Sequence, residues 1–476
     1  MNIVLVEVAP DEVMMTRMTG YYLPHPGLAY IAAYLEERGH AVSIVDPVSS
    51  DNDIKQMVKQ IVEFKPHMVG FTSTTASRFR TTDVINAVRM QTDAFIITGG
   101  PHFYPTAREA MSKIPAIDCV VKGEGEMAMA EIAQAVEANE SLTGIPGIFF
   151  RQDGNIIETP DRGVNNNLDS LPLPAYHLFD LKRYKSRLLG KKGIPALGVT
   201  SSRGCPCRCI FCSITALQKH NFRKRSPELF LDEIAYFKRE YGYKGFFFND
   251  DTITIDRSHI VNICEGILKR RLDIQWSALA RVNTVDEDLL SLMKKAGCCY
   301  IMYGVESGSD KMLAKLKKGT TIAQATKAIE MTAEVGIPFD AFFMVSFPDE
   351  TMEDVRKTID LMNKFSSYPN SHTPYGFTCI YPGTEIERLA YREGVLPKDF
   401  SWNTKYIKPV YAVLGTDPFS PCWETPLLPL EDIKAMIFRS RPIPYKIKQV
   451  FRKLRDLTPQ GIFSSIRIGI RMFTIR

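Results

Sequence analysis

The sequence predicts an α/β protein with two parallel sheets: a doubly wound, Rossmann-like sheet followed by a partial (β/α)6 barrel of the TIM type. Continuous apolar runs, such as residues 3–8, alternate with segments of helical spacing, such as residues 28–38. Runs that are apolar on both faces are typical of buried parallel strands. The alternation stops near residue 140 and resumes at residue 194, which indicates two sheets rather than one.

Length and composition are those of a soluble globular protein. The 476 residues are enough for two or three domains, and 45% are hydrophobic and 24% charged. No run reaches the ~18 apolar residues that a membrane-spanning helix needs. The first seven residues are too short and too acidic for a signal peptide. Ten cysteines without a secretion signal favour a reducing cytoplasm.

The first 140 residues predict a ligand-binding sheet. The strands are expected at 3–8, 41–45, 68–72, 95–98 and 119–121, and the helices at 28–38, 53–64, 82–91 and 127–138. Ligands of doubly wound sheets bind outside the carboxyl ends of the strands, and small residues there let a ligand approach the backbone. Seven residues at those ends are the candidate binding residues: Thr72, Ser73, Thr74, Gly99, Gly100, Gly123 and Glu124. The Gly-x-Gly-x-x-Gly signature is missing, which argues against NAD.

Residues 141–190 predict a connection, and residues 191–385 a second alternating unit. Within the connection, Asp153-Gly154 between two apolar runs indicates a hairpin. The second unit is expected to contain strands at 196–200, 245–249, 274–280, 299–305, 339–345 and 374–381. Helices are expected at 227–240, 258–271, 286–296, 322–335 and 351–365. Sites of barrels lie at the carboxyl ends of the strands.

A dense group of cysteines follows the first strand of this second unit. Cys205, Cys209 and Cys212 have the spacing C-x3-C-x2-C, and Cys207 lies between the first two. A zinc site would normally need a fourth ligand at matched spacing, and a disulfide knot does not suit a reducing compartment. A [4Fe–4S] cluster with three thiolate ligands and one open iron fits the spacing best.

These residues resemble a known family. The cysteine loop is similar to that of the radical SAM superfamily, with Phe211 as the usual aromatic residue before the last cysteine. Residues 26–32, 99–102 and 123–126 are similar to the cobalamin-binding domain of radical SAM enzymes. The resemblance implies that Cys205, Cys209 and Cys212 hold the cluster, whose fourth iron binds S-adenosylmethionine. Cobalamin is then the second cofactor, and Cys207 occupies a variable position.

The same resemblance implies roles for residues at the other strand ends. Five residues are expected to contact S-adenosylmethionine: Asp250, Asp251, Arg281, Glu306 and Ser307. Helix capping is the alternative for the two aspartates, and a structural ion pair is the alternative for Arg281. Tyr300 and Tyr303 are candidates for substrate contact, with plain packing as the alternative.

A histidine motif and a turn motif of related proteins are absent or altered in this sequence. The Asp-x-His-x-x-Gly motif is absent, so the resemblance implies that no protein imidazole ligates cobalt. We expect His25 and His102 to order their loops instead. Residues 344–351 resemble a turn of the family, but Phe347 and Asp349 depart from it.

Residues 386–476 predict a cap over the barrel and a basic amphipathic tail. From residue 433 to the end there are eleven Lys and Arg and one acid, Asp456. Such a segment suits an anionic membrane surface, and docking on the acidic body of the protein is the alternative. Nucleic-acid binding is not expected, because no recognised module accompanies the charge.

Together these features predict a cobalamin-dependent radical SAM enzyme. The resemblance implies methyl transfer from cobalamin to an unactivated carbon of a lipid or isoprenoid-like substrate, after a 5′-deoxyadenosyl radical has removed hydrogen. The alternatives are radical rearrangement or oxidative cyclisation, as in porphyrin ring closure, and a non-catalytic corrin-binding or membrane-docking protein. The expected partners are a small-molecule or lipid-like substrate and a low-potential electron donor such as flavodoxin or ferredoxin. The expected location is cytoplasmic, with peripheral contact to the inner face of the membrane through the tail.

Overall fold

The computed structural model describes residues 1–10, 22–184, 188–190, 193–218, 220–405 and 420–440. It contains two seven-stranded sheets and a short two-stranded hairpin. The strands of the first sheet are β1 (Asn2–Glu7), β2 (Ala41–Val45), β3 (Met68–Thr72), β4 (Phe95–Gly99), β5 (Cys119–Val121), β6 (Ile148–Gln152) and β7 (Asn155–Glu158). Its helices are α1 (Pro26–Glu36), α2 (Ile54–Glu63), α3 (Arg78–Arg89), α4 (Gly100–Phe103), α5 (Ala107–Lys113) and α6 (Gly125–Ala138).

The first sheet has the order β2-β1-β3-β4-β5-β6-β7. Its first five strands are parallel, which confirms the predicted doubly wound sheet. The predicted hairpin forms β6 and β7, and its turn residues Asp153 and Gly154 both have positive φ, as a two-residue turn requires. Because β6 pairs antiparallel with β5, the hairpin continues the first sheet. The expected connection at 141–190 therefore begins with two strands of that sheet.

The second sheet and its hairpin form the rest of the body. The strands are β8 (Ala196–Val199), β9 (Ser202–Arg203), β10 (Arg223–Lys224), β11 (Gly245–Phe248), β12 (Gln275–Ala280), β13 (Cys298–Glu306), β14 (Phe339–Val345), β15 (Ser371–His372) and β16 (Tyr375–Phe377). The helices are α7 (Ser213–Gln218), α8 (Pro227–Tyr241), α9 (Arg257–Lys269), α10 (Glu287–Lys295), α11 (Asp310–Lys315), α12 (Ile322–Val335), α13 (Met352–Ser366), α14 (Glu385–Arg392) and α15 (Leu430–Ser440). The sheet is parallel throughout, in the order β15-β14-β13-β12-β11-β8, with β16 also on β14. This arrangement confirms the predicted partial barrel.

The sixth barrel strand is shorter than the predicted range 374–381. Within that range only residues 375–377 pair with β14, and Cys379 instead forms an isolated bridge with Cys422. The reason is that Ile380 donates its backbone N–H to Pro421, so the chain leaves the sheet and pairs with the later segment. That segment continues into α15, where Ile433 and Ile437 pack with Val355 and Ile359.

One buried apolar cluster joins the two sheets. It runs from residues of α1 and α6 to residues of the barrel helices and strands. Tyr176, in the connection between the sheets, packs its ring against Phe237 and donates its hydroxyl to the carbonyl of Gly198 at 2.8 Å. The carboxyl ends of the two sets of strands are therefore held against each other.

The predicted amphipathic tail lies almost wholly outside the described residues, which end at residue 440. Within the described part of the chain, none of the helices has the length and hydrophobicity to cross a membrane.

Candidate active site

A cavity of about 510 Å³ lies between the carboxyl ends of the two sheets. On the first sheet's side it is lined by ends of β1, β3, β4 and β5 and by the amino-terminal turns of α1 and α6. On the second sheet's side it is lined by Gly198, Thr200, Ser202, Arg203, Gly204, Gln218, Asn249 and Asp251. The strand ends of both sheets thus share one space.

Two glycines at the first sheet's edge of the cavity have different roles. Gly100 has a φ of +83°, and a Cβ there would lie 2.6 Å from Thr72 Oγ1 and 3.1 Å from the backbone nitrogen of Ser73, so the close packing of the loop after β3 requires glycine. Gly123 has a φ of +90°, and a Cβ there would meet nothing within 4 Å. The backbone after β5 is therefore open to a ligand.

The structure brings most of the predicted first-sheet residues to this cavity, but not all of them. Thr72, Gly99, Gly100, Gly123 and Glu124 line it. Ser73 is buried beside α3, where its hydroxyl contacts Ser77 and Thr81, and Thr74 is exposed. Ser73 and Thr74 therefore shape the loop after β3 and do not line the cavity.

The cysteine loop follows β9 and is held by backbone contacts on several sides. Gly204 has a φ of +84° and donates its N–H to Asp251 Oδ2 at 3.0 Å. Within the loop, the backbone N–H of Cys212 donates to the carbonyl of Cys209 at 3.2 Å. The backbone N–H of Ile210 donates to the carbonyl of Leu316, also at 3.2 Å. The loop thus lies between the end of β11 and the carboxyl end of α11.

The loop geometry does not favour a mononuclear metal site. Across the described ranges, no three His, Cys, Asp or Glu side chains are grouped as ligands of a single metal ion. A structural zinc ion would require such convergence. The donor set on this loop is three thiolates, which is the ligand chemistry of an iron–sulfur cluster with one iron left open.

Cys205 and Cys207 interact directly. A hydrogen bond from the Cys207 thiol is the main reason that the pKa of Cys205 is lowered to about 6, which favours its thiolate. The same hydrogen bond raises the pKa of Cys207. Cys207 thus acts as a donor to a neighbouring thiolate.

The two predicted aspartates have different positions. Asp250 is 1% exposed and accepts hydrogen bonds from the hydroxyls of Ser201 and Ser202, and burial raises its pKa to about 6. Asp251 lines the cavity. Neither caps the next helix, whose N-cap is Asp256. Asp250 orders the start of the cysteine loop, and Asp251 faces the shared space.

Arg281 and Glu306 also lie at strand ends. The Arg281 guanidinium donates to Asn283 Oδ1 at 3.0 Å and is close enough for its charge to act on the Cys207 thiol. Glu306 has a φ of 71° and pairs with Lys318 at 2.8 Å. Ser307 is fully buried, with its hydroxyl 3.3 Å from Thr358 Oγ1. Ser307 therefore has a packing role.

The turn after β14 contains a buried acid that sequence reasoning did not single out. Glu350 accepts backbone N–H groups from Ser346, at 2.5 Å, and from Phe347, at 3.1 Å. Burial raises its pKa to about 7. The departure at Phe347 places its ring against Phe211 of the cysteine loop, with ring centroids 6.0 Å apart.

Neither predicted tyrosine reaches the cavity. Tyr303 is fully buried, and its hydroxyl is 3.0 Å from Thr332 Oγ1 on α12. Tyr300 lies near the amino end of β13 and donates to Asp340 Oδ1 at 2.6 Å, near the amino end of β14. Because barrel sites lie at the opposite ends of the strands, these positions support packing rather than substrate contact.

The two histidines order loops, as expected. His25 is the N-cap of α1, and its Nδ1 accepts the N–H of Leu28 at 3.2 Å. His102 is 1% exposed, and burial lowers its pKa to about 3. Its Nδ1 lies 3.4 Å from Thr75 Oγ1, so it holds the loop after β4 against the loop after β3.

Two family models match the chain in successive segments. Residues 13–133 match the B12 binding domain, and residues 199–362 match the radical SAM superfamily. A protein of Pyrococcus horikoshii described as an uncharacterized methyltransferase is 34% identical over 394 residues, which are 83% of this chain and 84% of the relative. The chain belongs to the radical SAM enzymes that carry a cobalamin-binding domain.

More distant relatives and a solved structure share this organisation. The anaerobic magnesium-protoporphyrin IX monomethyl ester cyclase of Rubrivivax gelatinosus is 29% identical, over 76% of this chain and 67% of the cyclase. The hopanoid C-3 methylase of Methylococcus capsulatus is 25% identical, over 94% of this chain and 81% of the methylase. The structure of the radical S-adenosylmethionine methyltransferase TsrM from Kitasatospora setae matches with a TM-score of 0.73 and 17% identity, covering 93% of this chain and 91% of TsrM.

The cofactors follow from the family and fit the residues present. They are a [4Fe–4S] cluster, S-adenosylmethionine and cobalamin. The three-cysteine loop supplies soft thiolate ligands, and the glycine-lined edge offers the open backbone that a corrin ring needs. The chain is therefore an enzyme of this family.

Proposed function

We propose that this enzyme methylates an unactivated carbon of a lipid or isoprenoid-like substrate. The observation that carries the proposal is the single cavity shared by the glycine edge of the first sheet and the start of the cysteine loop. A methyl group can pass between two cofactors and a substrate only if all three reach one space. The curated methyltransferase and hopanoid methylase relatives support the reaction and the substrate class.

The bound groups supply the chemistry, and the chain supplies positions. When bound, the cluster and S-adenosylmethionine provide the radical that removes hydrogen, and cobalamin provides the methyl group. We assign Cys205, Cys209 and Cys212 as cluster ligands. In the same proposal, Thr72, Gly99, Gly100 and Gly123 form the corrin-facing edge.

Three charged residues are assigned to S-adenosylmethionine. Asp251 faces the cavity, and in this proposal it accepts the cofactor's ammonium group. In the same proposal Arg281 binds the cofactor's carboxylate, and Glu306, which is paired with Lys318, binds its ribose hydroxyls. Asp250 serves this site indirectly, since its hydrogen bonds to Ser201 and Ser202 set the path of the chain into the cysteine loop.

Apolar side chains exclude water from the reacting groups. Leu5, Ile31, Phe71, Ile97 and Met129 line the first sheet's side of the cavity. A radical intermediate must be kept from side reactions with solvent, which is the protein's share of such chemistry.

Oxidative cyclisation is the second candidate function. The similarity to a porphyrin-ester cyclase favours it, and ring closure involves no net methyl transfer. In both cases the enzyme needs a low-potential reductant, for which a flavodoxin or a ferredoxin is the expected partner. Contact with a membrane through the basic residues after position 440 belongs to the lipid-substrate proposal.

Anaerobic reconstitution with iron, sulfide and cobalamin tests the proposal. The holoenzyme is given S-adenosylmethionine with a deuterated methyl group, a low-potential reductant and candidate lipid extracts. We expect S-adenosylhomocysteine and 5′-deoxyadenosine in equal amounts, with the label on a lipid product in mass spectra. Formation of 5′-deoxyadenosine without S-adenosylhomocysteine would contradict methyl transfer and support cyclisation or rearrangement. The variant with Cys205, Cys209 and Cys212 replaced by Ala is the matched control and should form neither product.

A further inference from the structure

Glu124 is part of a buried ionic network that crosses between the two cofactor edges. The network, called here the arginine latch, consists of Glu124, Glu126, Arg203 and Arg223. The two acids precede and begin α6, and the two arginines come from β9 and β10. Glu124 was predicted as a cobalamin contact, but both of its carboxylate oxygens are engaged by arginines.

Both arginines of the latch bind Glu124. Arg203 reaches Glu124 Oε1 at 3.0 Å and Glu126 Oε1 at 2.8 Å, so its guanidinium bridges both acids. Through one nitrogen, Nη1, Arg223 reaches both oxygens of Glu124 at 2.9 Å. Arg203 places one nitrogen on each acid, and a planar guanidinium bound in this forked way fixes direction as well as distance.

The latch is shielded from water. The side chains of Arg203, Arg223, Glu124 and Glu126 are 17%, 5%, 12% and 7% exposed. Burial alone would raise the pKa of Glu124, but the hydrogen bonds and charges of Arg223 and Arg203 lower it below its ordinary value. A desolvated pair of this kind is costly to break from one side, because the remaining charge stays buried.

The latch holds both ends of the cysteine loop. Arg203 comes directly before Gly204 and two residues before Cys205. Arg223 also donates to Gln218 Oε1 at 2.9 Å, and Gln218 is the last residue of the helix that follows Cys212. On the other side, Glu124 is adjacent to Gly123 at the corrin-facing edge.

We propose that the arginine latch positions the cluster loop against the cobalamin edge and thereby couples radical formation to methyl transfer. The inference rests on the proposed function for its catalytic consequence, but its structural consequence is independent of the reaction. Glu124, Arg203 and Arg223 are positioning residues, since they act through Gly123 and the cysteine loop. Loss of the latch leaves each cofactor site intact and relaxes the distance between them.

Glu124→Gln tests the latch, and Glu131→Gln is its matched control. Glu131 lies on the same α6 and pairs with Arg162, whose other hydrogen bond goes to the carbonyl of Pro146. Each variant is reconstituted as holoenzyme, and iron and cobalamin are counted per chain. The first measurement is the relaxation of the cob(II)alamin EPR signal by the reduced cluster, which depends steeply on their separation. The second measurement is the ratio of S-adenosylhomocysteine to 5′-deoxyadenosine.

We expect Glu124→Gln to retain both cofactors while the relaxation enhancement becomes weaker and more heterogeneous. Because displacement of reacting groups by about 1 Å can cost about 10²-fold in rate, the product ratio should fall by up to that factor. Glu131→Gln should match the wild type in both measurements. Unchanged relaxation and an unchanged product ratio in Glu124→Gln would overturn the proposal.

A second variant covers failure of the first to fold. Arg223→Lys keeps a charge for Glu124 but loses the second nitrogen, which binds Gln218, and it should show the same change in relaxation at smaller amplitude. If Glu124→Gln loses its cofactors, wild-type relaxation in Arg223→Lys overturns the proposal. Failure of the proposed function has a different signature, which is wild-type formation of 5′-deoxyadenosine alone. In that case the EPR comparison still decides whether the latch sets the separation.

Discussion

Gly204, which immediately precedes the first cysteine of the loop, tolerates no side chain. Its φ is +84°, and a Cβ there would lie 1.8 Å from the carbonyl oxygen of Asn221. The left-handed conformation costs a non-glycine residue about 1–2 kcal/mol. Displacing the packed backbone adds roughly 1–3 kcal/mol. Gly204→Ala should therefore destabilise the protein by about 2–5 kcal/mol in all.

A second glycine separates the two contributions. Gly242 has a φ of +73° at the end of α8, but a Cβ there would meet nothing within 4 Å. Gly242→Ala should therefore cost only the conformational part, about 1–2 kcal/mol. Chemical denaturation of both apoproteins measures this difference.

The iron content of the variants shows whether the steric clash at position 204 also prevents cluster binding. Gly204→Ala must separate β9 from β10, so the cysteines that follow can no longer reach their common cluster. After anaerobic reconstitution we expect little iron and sulfide in Gly204→Ala and wild-type amounts in Gly242→Ala. The reasoning would be refuted if Gly204→Ala bound wild-type iron and lost no more stability than Gly242→Ala.

Two further predictions concern the cluster loop and the barrel turn. Cys207→Ala should keep its iron, whereas Ala at Cys205, Cys209 or Cys212 should lose it; iron loss in Cys207→Ala would mean that the ligands are misassigned. Asp354→Asn removes the negative charge and one of the two acceptor oxygens that bind Ser309 and Lys311, whose hydrogen bonds oppose the effect of burial and hold the pKa of Asp354 below 3.8. It should cost about 1–3 kcal/mol near neutral pH. Since a depressed pKa stabilises the fold fully above the unfolded value and progressively less below it, that cost should shrink in denaturation curves as pH falls below 3.8. An equal cost near neutral pH and below pH 3.8 would contradict this prediction.

Much of the fold could be predicted from local pattern. The parallel strands are apolar on both faces, so their residues stand out as continuous runs, and β1 and β3 lie almost where the runs predict them. The cysteine spacing lies within one short loop and survives any error in the surrounding elements. Its position after β8 follows from the same alternation.

Which side chains at a strand end contact a ligand could not be predicted from local pattern, because an end carries several residues that point in different directions. Asp250 and Asp251 are adjacent, yet the first is buried against two serines and the second lines the cavity. Thr72 lines the cavity, whereas Thr74 is exposed. A short loop has no fixed periodicity from which such directions could be read.

The latch illustrates what local pattern omits. Glu124 and Arg203 are 79 residues apart, and Glu124 and Arg223 are 99 residues apart. Charged residues at such separations carry no periodic signal, and their pairing depends on how the two sheets pack. The sequence offered one clue, since Arg203 directly precedes the cysteine loop.

The sequence alone therefore determined the fold class, the three-cysteine loop and the family, since each depends on residues close together in the chain. Tertiary structure decided that the two strand edges share one cavity, that Tyr300 and Tyr303 lie away from it, and that Glu124 binds arginines. The physical reason is that packing brings distant polar groups together and removes them from water. Once buried, their hydrogen bonds and charges must be satisfied by whichever partners the fold supplies.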